Sequence, residues 1–320
     1  MILTASRVSN LTALRSVRCA YAGRRFLQTQ IPPASASSAE AYLEPNHDYP
    51  GIVSLLLNRP RSKNAISLRL LKELQECLDI VQFDKSTRVL IVRSSTIGAF
   101  CAGADLVERA TMSKAQVDKF LIDLRRALGT LENLPVPTIA AIDGPALGGG
   151  LEMGLACDLR VAGEHSEVPF RVAEEAKAGV REGHAVTKIG LPETKLGIIP
   201  GAGGTQRLTR LLGMAKAKDL IFTARVMTAQ KALELGVVDY VSEPQTTGYD
   251  RALQLAGEIS TSAPLALRAA KQAISRVPDV GFESGLDFER ASYEPLLHSQ
   301  DRLEALKAFK EKRPPVFKGE

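Results

Sequence analysis

The chain of 320 residues has no tryptophan, four cysteines, four histidines and only 5% aromatic residues. Cys19 stands in an arginine-rich leader, and Cys77, Cys101 and Cys157 are an odd, widely spaced remainder with no CxxC pair. Neither a disulfide framework nor a zinc site is suggested. His47, His165, His184 and His298 form no HExxH and stand near no cysteine cluster, which leaves any metal site to carboxylates alone. The GxSxG elbow, the GxxxxGK[ST] loop and a GxGxxG fingerprint between strand and helix are missing as well. Serine hydrolases, P-loop enzymes and dinucleotide dehydrogenases therefore lose support. Long apolar runs are also lacking: residues 52–57 and 136–142 fall far short of the roughly 20 residues that a membrane-spanning helix needs.

The net charge of +5 at first suggests a nucleic-acid partner, but it is local. Residues 1–39 hold Arg7, Arg15, Arg18, Arg24 and Arg25 with no lysine and no acid. Removing these five from the 41 basic residues leaves 36, matched by 36 acidic ones. Serine, threonine and scattered apolar residues between those arginines make residues 1–30 read as a mitochondrial transit peptide. The expected location is the mitochondrial matrix. A linker over 31–50 follows, rich at first in proline, serine and alanine.

Beyond it, short apolar runs alternate with helical periodicity. Strands are expected at Ile52–Leu57, 89–92, 138–142 and 159–162. Leu70, Leu71, Leu74, Cys77, Leu78 and Val81 share one helical face, and Val117, Phe120, Leu121, Leu124, Leu128 and Leu131 share another. Strands separated by helices argue for an α/β architecture with a largely parallel sheet, because parallel pairing needs a crossover. The body is expected to span 51–244. From 245 to 320 only helical patterns remain, several too short to stand alone, so they must dock on the core or on another subunit.

Two glycine-rich segments each carry a carboxylate. In Asp143-Gly-Pro-Ala-Leu-Gly-Gly-Gly-Leu-Glu152, consecutive glycines between a strand and a short helix let the backbone approach a ligand. Amides at the helix N-terminus can hold a developing oxyanion, with Glu152 close by; a tight turn with Glu152 as a dipole-complementing acid is the plainer reading. In the second, Glu193 follows Pro192 and precedes an apolar, glycine-bounded stretch. If desolvated, it becomes a usable proton donor; a loop acid at the surface is the alternative. A third loop, Gly98-Ala-Phe-Cys-Ala-Gly-Ala-Asp105, could add another amide.

Three segments together resemble the enoyl-CoA hydratase/isomerase (crotonase) superfamily: Phe100-Cys-Ala-Gly-Ala-Asp-Leu106, Ala146-Leu-Gly-Gly-Gly-Leu-Glu152, and the run from Pro192 through Glu193-Thr-Lys-Leu to Gly203-Gly-Thr-Gln-Arg207. The closing Phe309-Lys-Glu-Lys-Arg-Pro-Pro-Val-Phe-Lys-Gly-Glu320 is most similar to the mitochondrial methylglutaconyl-CoA hydratase subgroup. The resemblance implies a crotonase-like spiral of ββα repeats with a C-terminal all-helical trimerisation region, giving a homotrimer or hexamer. It implies a hydro-lyase that adds water across the C2–C3 double bond of an acyl-CoA thioester, with methylglutaconyl-CoA of leucine breakdown as substrate. By matching positions, the amides of Ala104 and Gly149 form the oxyanion hole, Ala102, Asp105 and Leu106 line the CoA path, Glu152 activates the water and Glu193 delivers a proton to C2. No metal, nicotinamide or flavin is implied; CoA is part of the substrate. The superfamily's isomerases usually lack the acid matching Glu152, so having both favours a hydratase. For the substrate's distal carboxylate, Arg109 and Lys195 are candidate partners, with a structural or solvent-facing role as the default for either.

Four alternatives stay open: a broad short-chain hydratase of fatty-acid β-oxidation, an isomerase, a non-catalytic assembly protein, and an RNA-binding protein. The last is suggested by the subgroup and by Arg61, Lys63, Arg69 and Lys72, whose cluster Glu73 and Glu76 interrupt. One departure from the family is residues 163–188, an acidic insertion where the family has a connection of only a few residues. It reads as a surface loop or as translated non-coding sequence, and its charge run as a solvated face rather than a ligand set.

Overall fold

In the computed structural model, which describes residues 38–95, 98–166 and 185–320, the four apolar runs expected as strands lie side by side in one sheet. The chain begins with β1 (Ala41–Pro45), β2 (Ile52–Leu57), α1 (Leu68–Phe83), β3 (Val89–Ser94), α2 (Leu106–Ala110) and α3 (Lys114–Glu132). There follow β4 (Thr138–Ile142), β5 (Ala146–Leu147), α4 (Gly149–Ala156), β6 (Leu159–Ala162), β7 (His165–Ser166), β8 (Ala185–Val186) and β9 (Lys188–Gly190). Next come α5 (Gly204–Leu212), α6 (Met214–Phe222), β10 (Val226–Thr228), α7 (Ala229–Leu235) and β11 (Tyr240–Val241). The last elements are α8 (Gly248–Ser260), α9 (Pro264–Ser275), α10 (Phe282–Tyr293) and α11 (Gln300–Glu311).

The main sheet has the order β1-β2-β3-β4-β6-β11. Only β1 runs antiparallel to its neighbour; β2, β3, β4, β6 and β11 are parallel. A smaller sheet joins β5, β9 and β10. Every residue of β2 and of β4 is buried, as continuous apolar strands are when both sheet faces are covered. Successive side chains point to opposite faces, and β3 shows the division. Leu90 and Val92 join the large core with Leu70, Leu74 and Leu78 of α1 and Phe120, Leu124 and Leu128 of α3. Val89 and Ile91 join the second core with Ala252, Leu255 and Ala256 of α8. Helix starts follow local chemistry: the Ser67 hydroxyl accepts the Leu70 N–H at 2.9 Å, and Ser113 with Gln116 forms a capping box at α3.

One expected boundary shifts. The sheet begins at Ala41, inside the stretch read as a linker over 31–50, because Ala41 and Leu43 are buried where β1 pairs with β2. Five residues ending at a proline are too few for alternation to stand out. The helical pattern expected from 245 starts with α8, which docks on the sheet. Asp143, at the end of β4, accepts the Tyr249 N–H at 2.9 Å and also the Gly248 N–H, which pins the start of α8. By contrast, α9 and α10 bury no residue, and Ile274, Phe282 and Phe309 are 69%, 78% and 86% exposed.

The transit-peptide reading of 1–30 lies outside the described residues, as do residues 167–184 of the acidic insertion. Its described flanks, β7 and β8, pair antiparallel with each other.

Leu74 is fully buried between α1 and the sheet, and Leu74→Ala is expected to lower unfolding stability by about 2–5 kcal/mol, read as a lower urea midpoint. A midpoint unchanged from wild type would contradict the packing described.

Candidate active site

Parallel strands β3 and β4 are neighbours, so the loops that leave their ends run side by side. Asn64 holds the first, residues 98–105. Fully buried, with φ 55°, it donates from Nδ2 to Ser94 Oγ at 2.8 Å and to the Phe100 carbonyl at 2.9 Å. The Ile66 N–H donates to the Gly103 carbonyl at 2.7 Å, and the Asp105 N–H to the Ile66 carbonyl at 3.1 Å. The second loop laces onto the first. Phe100 and Cys101 N–H groups donate to the Pro145 carbonyl at 3.1 and 3.0 Å, and the Leu147 N–H donates to the Cys101 carbonyl at 3.1 Å. A Cβ at Gly150 would fall 2.1 Å from that Cys101 oxygen, and one at Gly103 (φ 95°) 2.8 Å from the Leu147 oxygen. Glycine is required at both positions because backbone fills the space a side chain would need.

This lacing brings two backbone amides to one cavity. Neither the Ala104 nor the Gly149 N–H donates to an acceptor among the described residues. Gly149 opens α4, so its N–H is one of the helix's unpaired first-turn donors. A Cβ built on Gly149 would stand 3.6 Å from the Ala104 nitrogen, which makes the two neighbours. The cavity beside them holds about 550 Å³, with Ala102 from the first loop, Leu106 from α2 and Phe120, Leu121 and Leu124 from α3 in its lining.

Glu152 and Glu193 line this same cavity from different elements. Glu152, in the first turn of α4, is 2% exposed, and its Oε1 accepts the Ala202 N–H at 2.8 Å and the Gly204 N–H at 2.7 Å. Burial pushes its pKa up, while those two amides and the Arg207 charge pull it back. Glu193 opens a turn of 3-10 helix, Glu193–Leu196, and is 8% exposed. Its Oε2 is buried without a hydrogen-bond partner among the described residues. Burial first, then the Glu152 charge, pushes its carboxyl up to about 7. A Cβ at Gly148 would lie 3.0 Å from Glu193 Oε1, so the glycine turn makes room for this acid.

Asp105, expected along the CoA path, is outside the lining of this cavity. Its carboxylate accepts the Val107 and Glu108 N–H groups at 3.1 and 3.2 Å, capping α2, and pairs with Arg59 at 3.0 Å. An Asp before a short helix is an N-cap by default. Of the two candidate cations, Arg109 lines the cavity and Lys195 does not. The clasp on Glu152 went unread in the sequence. Arg207 braces it, donating to the Ala202 carbonyl at 2.9 Å and to Glu132 at 2.7 Å. The signal was present as glycines at 201, 203 and 204 ahead of an arginine. Cys77, Cys101 and Cys157 are buried thiols pushed up to about 12 by desolvation, unsuited to nucleophilic work. Among the described residues, no group of three or more His, Cys, Asp or Glu is placed to hold a metal ion.

The family profile described as Enoyl-CoA hydratase/isomerase matches residues 47–320. The chain belongs to the enoyl-CoA hydratase/isomerase family. It is 49% identical over 293 residues to the Enoyl-CoA isomerase/hydratase fer4 of Mycosarcoma maydis, covering 88% of this chain and 99% of that one. To the mitochondrial Methylglutaconyl-CoA hydratase of Mus musculus it is 48% identical over 273 residues, 84% of this chain and 80% of that one. The crystal structure of an Enoyl-CoA Hydratase from Bacillus anthracis superposes with a TM-score of 0.78 at 43% identity, covering 88% of this chain and all of that one. The fold is thus the α/β crotonase fold with added C-terminal helices, and the protein is a hydro-lyase of the enoyl-CoA hydratase type.

Because a Cβ at Gly150 meets backbone rather than a movable side chain, Gly150→Ala is expected to lower Tm and hydration rate together, at a cost of about 1–3 kcal/mol or more. Thermal unfolding and enoyl-CoA absorbance check it; wild-type values for both would refute the close approach.

Proposed function

We propose that the protein adds water across the C2–C3 double bond of methylglutaconyl-CoA, using Glu152 and Glu193 as the acid–base pair. The observation that carries this reading is the contrast between two carboxylates in one cavity beside two unengaged N–H groups. Hydration of a conjugated thioester builds enolate charge on the thioester oxygen. The Ala104 and Gly149 amides, preorganised in a largely apolar cavity, stabilise that charge, each donor worth about 3 kcal/mol. Ala102 and Leu106 flank the thioester's CoA arm. Glu152, oriented by two amides that favour its ionised form, takes the proton from the water that attacks C3. Glu193, held near neutrality, gives its proton to C2. Two acids with environments that separate their titrations can divide base and acid roles in this way. The chemistry draws on no cofactor beyond the CoA of the substrate.

Methylglutaconyl-CoA is supported by the resemblance of the closing segment and by the name of the mouse relative. That name and the arginine-rich first 30 residues also support a place in the mitochondrial matrix. Assembly into a trimer or hexamer is supported by the exposed Ile274, Phe282 and Phe309 on the C-terminal helices. An isomerase needs one base and no activated water, so the presence of both acids favours hydration. RNA binding gains no support, because Arg69 and Lys72 are paired along α1 with Glu73 and Glu76.

Glu152→Gln and Glu193→Gln are each expected to lower kcat for hydration by about 10²- to 10⁴-fold, followed by loss of enoyl-thioester absorbance; equal rates in wild type and both variants would defeat the assignment. In wild type, kcat/KM should fall as pH rises through about 7, because Glu193 must carry its proton to act as the acid. A profile flat from pH 6 to about 9 would remove Glu193 from that role.

A further inference from the structure

If the acyl group ends in a carboxylate, some group in the cavity must meet that second charge. We propose that Arg109 is this specificity-determining residue, so that the cavity selects enoyl-CoA thioesters whose acyl chain ends in an anion. The inference rests on the hydratase reading above and goes on to assign the source of its selectivity.

Arg109 is the only cationic residue in the cavity's described lining, on the last turn of α2 among Leu106, Phe120, Leu121 and Leu124. Its guanidinium stands 5.9 Å from the centre of the Phe120 ring, and Phe120 is itself buried. This ring is its one side-chain partner among the described residues. The neighbouring acids are engaged elsewhere. Asp105 caps α2 and pairs with Arg59, and Glu108 accepts the Leu68 N–H at 2.9 Å. Within the cavity, Glu152 Oε1 is taken by two amides, and Glu193 is held near neutrality. Among the described residues, no carboxylate forms an ion pair with Arg109.

A cation in an apolar wall gains nothing from a plain hydrocarbon acyl chain. It gains a great deal from a carboxylate, which a guanidinium meets with two parallel hydrogen bonds. The other nearby cations are poorer candidates. Arg207 is occupied by the Ala202 carbonyl and Glu132, and Lys195 lies outside the lining.

Glutaconyl-CoA and crotonyl-CoA differ only in the terminal carboxylate, and hydration of each is followed by absorbance. The wild-type ratio of kcat/KM for glutaconyl-CoA over crotonyl-CoA should fall about 10- to 100-fold in Arg109→Met, mainly through a higher KM for glutaconyl-CoA, with partial recovery in Arg109→Lys. A folding defect lowers both rates and leaves their ratio alone, so the ratio reads recognition. The methyl ester of glutaconyl-CoA gives the same test without a variant, since wild type should handle it less well than the free acid. An unchanged ratio in Arg109→Met overturns the proposal and points instead to a contact with the CoA portion common to both substrates. Wild type inert toward both thioesters would defeat the hydratase reading, and this inference with it.

Discussion

Everything at the site depends on backbone packed directly against backbone where residues 98–105 meet the turn before α4. The Cys101 carbonyl accepts the Leu147 N–H and leaves no space for a side chain at Gly150. Peptide groups that satisfy one another across this contact leave the neighbouring Ala104 and Gly149 donors facing the cavity. An unengaged donor costs free energy when it is shielded from water, and such a cost is tolerable where a reacting oxygen supplies the missing acceptor. The parallel pairing of β3 with β4 comes first in this chain of causes, because it sets the starting points of the two loops.

Burial pushes both glutamates up, and their different partners then set them apart. The loop preceding α5 gives Glu152 a pair of amide donors, which stabilise the charged form. Glu193 has an oxygen with no donor and an acid for a neighbour, both of which favour the neutral form. Arg207 acts one layer out, bracing the clasp on Glu152 from α5. Charge separation inside the cavity is therefore a property of loop geometry more than of residue choice.

Much of this could be read from the chain, and the rest has physical reasons for being hidden. The apolar faces of α1 and α3 follow period 3.6 closely enough to be named residue by residue, and the fully apolar β2 and β4 stand out as buried strands. Glycine clusters marked where backbone had to come close, which led to Glu152 and Glu193. A motif does not show which way a side chain turns; that of Asp105 turns toward Arg59 and the start of α2. The small-residue face of α8 and the five residues of β1 carry too little apolar signal to reveal that both cover or extend the sheet. The wall built by α3 was visible as a helix face, while its role at the cavity depended on tertiary packing.

The pairing of β7 with β8 brings the two ends of the intervening acidic segment together. Downstream, β9 pairs directly with β5, and the Gly148 N–H donates to the Gly190 carbonyl at 3.0 Å. The distance between the two halves of the catalytic apparatus is thus fixed by a ladder that bypasses the segment. Lineages could lengthen, shorten or rewrite sequence at this junction without retuning the chemistry, which makes it a natural graft point where novelty can accumulate in an otherwise constrained enzyme.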